Sequence, residues 1–101
     1  MEFVENMTTS IEPGLYIENS HGIRIENEAY VKKAFDNEFG YFLEFETLTY
    51  VPLDTRPIKL EMLSTEEIDW VNAYNKKCYE LLSPYLDGHD LEYLKESCKE
   101  I

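Results

Sequence analysis

The chain has little cysteine, glycine or proline, and positive charge is scarce. Its two cysteines, Cys78 and Cys98, fall in segments of helical pattern near the C-terminal end. That is a poor disulfide framework, and we read both as reduced thiols at buried apolar positions of a cytosolic protein. No apolar run approaches the roughly 20 residues needed to span a bilayer. The opening Met-Glu-Phe-Val-Glu-Asn has neither a basic start nor an apolar stretch, so no signal peptide is expected and the expected location is the cytoplasm. Nine Lys and Arg stand against 21 Asp and Glu, a formal net charge of −12. Such a charge repels phosphate backbones and anionic lipid, which argues against nucleic acid and membranes as partners. It suits cation binding where carboxylates converge. With 44% hydrophobic residues in 101, one modest core is within reach.

Composition changes near residue 60, from β-branched and aromatic residues punctuated by Gly and Pro to helix formers. Residues 7–12 read as a strand entering the Pro13-Gly14 break. Proline within a sheet is confined to edges, strand starts and bulges, so a kink between two strand pieces is expected there. Leu15-Tyr16-Ile17 continues extended, and Glu18 to Gly22 is turn-like. Residues 23–31 alternate, with Ile23, Ile25, Ala29 and Val31 on one face and Arg24, Glu26 and Glu28 on the other. Residues 32–40 read as a polar connection. Residues 41–51 carry the strongest strand signal, with Leu43, Phe45, Thr47 and Val51 on one face.

Ser64-Thr65-Glu66-Glu67 has the form of a capping box, opening a helix from about Thr65 to Ser83. Ile68, Val71, Asn75, Cys78 and Leu82 recur along it at helical spacing. Pro84 closes it, Asp87-Gly88 is a turn, and Asp90 is expected to cap a last helix. The aromatic strand and Trp70 are expected to be core or interface. The fold class is therefore α+β, about three antiparallel strands followed by two C-terminal helices.

Two acids stand out. Glu12 lies in Ser-Ile-Glu-Pro-Gly and Glu26 in Gly-Ile-Arg-Ile-Glu-Asn. If the span between them is one hairpin, Leu15 faces Ile23, Tyr16 faces Gly22 and Glu12 faces Glu26. Directly opposed like charges destabilise a strand pair. A cation between them reverses that sign. An ion pair of Arg24 with Glu26 or Glu12 relieves the same repulsion without metal.

Residues 5–16 followed by 22–27 resemble the pita-bread metallopeptidases, and most closely aminopeptidase P, the Xaa-Pro aminopeptidases. Residues 42–52 resemble the last strand of the larger, three-domain form, and 63–74 the start of its C-terminal extension. The resemblance implies a partial pita-bread catalytic domain over residues 1–52 and a helical extension over 53–101. It implies that Glu12 and Glu26 are metal ligands of a site holding two divalent ions, usually manganese. It places Tyr16 and Arg24 in the network behind those ligands. It also implies a peptide substrate with proline second, and a homo-oligomer.

The remaining ligands of that family, two aspartates and a histidine, would lie upstream of Met1. His21 and His89 do not have the spacing to replace them. The expectation is a C-terminal portion of the enzyme, inactive by itself and holding no metal alone. Asn75, where relatives often carry histidine, is assigned no role. The alternatives are a self-association module without catalysis, and a fragment of a prolidase, which shares both Glu motifs. Methionine aminopeptidase fits less well because it lacks a counterpart to 52–101. Creatinase-like relatives fit less well because both glutamates are retained here.

Overall fold

The computed structural model describes all residues from Met1 to Ile101. Five strands precede two helices: β1 (Thr8–Ile11), β2 (Gly14–Ile17), β3 (His21–Arg24), β4 (Asn27–Asn37), β5 (Gly40–Thr47), α1 (Thr65–Leu82) and α2 (Gly88–Ser97). Short 3-10 turns occupy Leu60–Met62 and Ser83–Tyr85. The chain forms two compact units, Met1–Thr49 and Tyr50–Ile101.

In the first unit, β1, β4 and β5 form an antiparallel sheet with β4 in the middle, and β2 and β3 form a separate antiparallel pair. The first two expected strands are each interrupted, at Pro13 and at Ile25-Glu26, which is how three runs become five segments. Ala29 and Val31 are buried at the sheet centre. Val31 exchanges hydrogen bonds with the chain ahead of β1: its N–H donates to the Met7 carbonyl and its carbonyl accepts from Asn6 N–H, both at 2.8 Å. Ile23 and Ile25, expected on the same face, are about half exposed.

Residues 32–40 are not a loop. β4 runs on to Asn37 and turns through Glu38-Phe39 directly into β5. A register shift between Lys33 and Phe35 leaves Ala34 without a partner. This bulge breaks the period of two and so hides the strand in the sequence. Across the pair, Lys32 bridges Glu44 and Glu46. Its hydrogen bond holds the Glu46 carboxyl below the usual range and raises the ammonium. Phe35 stacks on Phe42 at 4.8 Å. Gly40 has φ +145°, a conformation that favours glycine.

β5 ends at Thr47, short of the expected 51. Val51 belongs to the second unit, where its backbone bonds to Tyr74: the hydroxyl donates to the Val51 carbonyl at 2.8 Å and accepts from its N–H at 3.3 Å.

In the second unit, α1 is the centre, with Val71, Tyr74, Asn75 and Cys78 buried. Its capping box is complete: Ser64 Oγ accepts from Glu67 N–H at 3.2 Å, and Ser64 N–H donates to the Glu67 carboxylate at 2.8 Å. Asn75 is 1% exposed. Its amide accepts from Leu53 N–H at 2.9 Å and donates to the Leu53 carbonyl at 3.3 Å, so it has the structural role the sequence did not reveal. Asn72, one turn earlier, holds Ile101 in the same way at 3.0 and 3.4 Å. Trp70 stacks on Tyr74, which stacks on Tyr50, and the outer face of Trp70 is exposed.

α2 starts earlier than expected. Asp87, not Asp90, is its N-cap residue, and Gly88 takes φ +49° to admit the chain. Asp90 sits inside the first turn, where a carboxylate favours the positive end of the helix dipole. Both cysteines are free, and burial pushes both thiols up.

Candidate metal centre

The two glutamates lie in the gaps between strands. β1 pairs with β4 as far as Ile11 opposite Asn27, and β2 pairs with β3 from Gly14 opposite Arg24. No residue is gained or lost between those pairs, so Glu12 comes opposite Glu26. Pro13 interrupts the pairing without shifting its register. The expected pairs Leu15–Ile23 and Tyr16–Gly22 form as well.

Arg24 joins the acids. Its Nη1 lies 3.0 Å from Glu12 Oε2 and its Nε 3.1 Å from Glu26 Oε2. It pairs with both carboxylates at once, and the guanidinium supplies the positive charge that the opposed acids call for. All three side chains are between 39% and 46% exposed, so water screens the pairs. The other oxygen of Glu12 is held too: Ser10 Oγ donates to Oε1 at 2.7 Å.

Tyr16 lies on the same strand face as Glu12, four residues on. Its ring covers two glycines. A Cβ built at Gly22 would meet Tyr16 Cδ1 at 2.6 Å, and one at Gly14 would meet the hydroxyl at 2.7 Å. The hydroxyl is therefore turned back over Gly14, toward the glutamates. These glycines serve by lacking a side chain, which lets an aromatic ring lie flat on the strand pair.

His21 opens β3, exposed, with Nδ1 2.9 Å from Ser20 Oγ, and His89 lies exposed in the first turn of α2. No three of the histidine, cysteine, aspartate and glutamate side chains converge to hold a metal ion. Glu12 and Glu26 present hard oxygens, the donor type that manganese and magnesium prefer, so their chemistry fits a divalent ion. Two carboxylates remain an incomplete shell. A cavity of about 550 Å3 opens in the second unit beside Val51, Leu53, Tyr93 and Ile101, and neither glutamate lines it.

Sequence reasoning missed Ser10. A hydroxyl two residues before an acid on one strand shares its face, and that spacing was the available signal.

Known proteins match nearly the whole chain. The family model described as the C-terminal region of peptidase_M24 matches residues 41–101. Aminopeptidase P1 of Arabidopsis thaliana is 37% identical over 99 residues, 94% of this chain and 15% of that protein. A probable Xaa-Pro aminopeptidase P of Coprinopsis cinerea is 40% identical over 100 residues, 94% of this chain and 16% of that protein. In structure, the chain is similar to an X-prolyl aminopeptidase from Caenorhabditis elegans, a cytosolic enzyme with a di-nuclear active site. The TM-score is 0.81 and the identity 34%, over 98% of this chain and 17% of that one. The chain spans about one-sixth of the length of the relatives it matches. With a family match over more than half its residues, this chain belongs to the C-terminal region of the peptidase M24 family.

Proposed function

We propose that the chain is the C-terminal part of a dimetal Xaa-Pro aminopeptidase, which releases the N-terminal residue from peptides with proline second. The observation that carries this reading is the opposition of Glu12 and Glu26 with Arg24 between them. Glu12 and Glu26 would hold the metal ions, with manganese as the proposed metal. Bound metals of this kind supply a nucleophilic water at neutral pH. The chain's own contribution would be to bring two carboxylates opposite each other and to orient them through Arg24, with the Tyr16 ring on the same strand face. Residues 1–52 would complete the catalytic domain and 53–101 would form its helical extension. We place the parent in the cytosol, as its structural relative is described. No helix here is long and apolar enough to cross a membrane.

The chain alone would be inactive, because two ligands do not make the site. Purified chain with added manganese should leave an Arg-Pro-Pro peptide intact. A chimera carrying this chain in place of the matching segment of the nematode enzyme should release the first residue. Glu12→Gln or Glu26→Gln should abolish that release. A folded chimera that stays inactive with manganese, or retains full activity in both variants, would sink the reading.

A second reading, self-association, is favoured by the exposure of Leu15, Ile17, Ile23 and Phe39 in the first unit. Light scattering tests it, and a monomer mass at working concentration counts against it.

A further inference from the structure

We propose that Ser10 is the positioning residue of Glu12. The proposal rests on the reading of Glu12 as a metal ligand. A carboxylate at a strand end, nearly half exposed, has several rotamers open to it. Here both of its oxygens are taken, by two groups from opposite sides. Ser10 Oγ donates to Oε1 at 2.7 Å, and Arg24 Nη1 donates to Oε2 at 3.0 Å.

The two holds differ in kind. Arg24 also serves Glu26, and its charge is of the sign a metal would bring, so an incoming cation competes with it for both acids. Ser10 is neutral and serves Glu12 alone. Its hydrogen bond survives the arrival of a cation, because each carboxylate oxygen has a second lone pair. Ser10 is thus the group that can keep Glu12 aimed in both states. Its own placement is firm: it pairs with Glu28 in the β1–β4 ladder, two residues before Glu12 on the same strand face. Partners that hydrogen-bond a ligating carboxylate commonly change metal affinity by about 10- to 100-fold when removed.

The test compares Ser10→Thr with Ser10→Val in the full 101-residue chain. These two side chains have nearly one shape, both suit a strand, and only the first keeps a hydroxyl. Three-bond couplings across χ1 of Glu12 report its rotamer without metal. Line broadening by manganese chloride at the Glu12 and Glu26 amides reports weak binding. Ser10→Val should average the Glu12 couplings and raise the manganese needed for half broadening by about tenfold. Ser10→Thr should match the wild type in both. Equal couplings in the two variants would overturn the proposal. So would equal manganese responses. If the wild type shows no broadening at either glutamate, two ligands alone do not hold the ion; the chimera then tests the metal-ligand reading, and the couplings alone decide whether Ser10 orients Glu12.

Discussion

Glu12 and Glu26 share one guanidinium: Arg24 reaches Glu12 Oε2 at 3.0 Å through Nη1 and Glu26 Oε2 at 3.1 Å through Nε. Removing it leaves two like charges opposite each other on a strand pair. Arg24→Met should lower stability by about 0.5 kcal/mol, the modest size expected for half-exposed pairs. Adding Glu26→Gln should recover most of the loss. Urea unfolding measures both. In 1 M salt, where screening acts within about 3 Å, the loss should largely vanish.

Gly22 is predicted to matter for where Tyr16 points more than for stability. A methyl group there meets the ring at 2.6 Å, so Gly22→Ala should swing the exposed ring away from the strands. The Gly22 region should then lose its ring-current shift in proton NMR. The stability change should stay within about 0.5 kcal/mol, as the side chain that yields is a surface one.

Asn75 closes both backbone hydrogen bonds of Leu53 from a position 1% exposed. Asn75→Leu keeps the volume and removes both partners. Leaving buried polar groups unpaired should cost about 2–4 kcal/mol. At this chain length that lowers the melting temperature by roughly 10 °C or more, read by circular dichroism.

Asp54 is held at a pKa of about 2, against an ordinary 3.8, by the side-chain hydrogen bond from Arg56. A depressed carboxyl lends stability that is fully present above pH 3.8 and lost as pH falls through about 2. Arg56→Ala should return the Asp54 midpoint toward 3.8, followed by carboxyl carbon shifts in an NMR titration.

Much of this was legible in the residues. The register follows once the span is taken as one hairpin about the turn-like Glu18 to Gly22, and the opposition of Glu12 and Glu26 with it. The α1 capping box and its stop at Pro84 were equally plain, because local chemistry decides them. The features hidden in the sequence depend on distant or irregular structure. The bulge at Ala34 broke the period that would have marked β4 through Asn37. The roles of Asn75 and Tyr74 depend on Leu53 and Val51, more than 20 residues away in the chain. Ser10 has no distinctive pattern of its own as a serine in a strand, and only its spacing to Glu12 marks it.

Register runs unbroken across Pro13. The two acids are clamped at both ends of a short span, by Ile11–Asn27 on one side and Gly14–Arg24 on the other. Either clamp alone would set which residue faces which. A residue inserted in the Glu18–Ser20 turn would have to be absorbed by the turn or by β2–β3, since the β1–β4 clamp does not pass through it. The site is thus insulated from changes in its own hairpin tip, where length can drift while the two carboxylates stay in step.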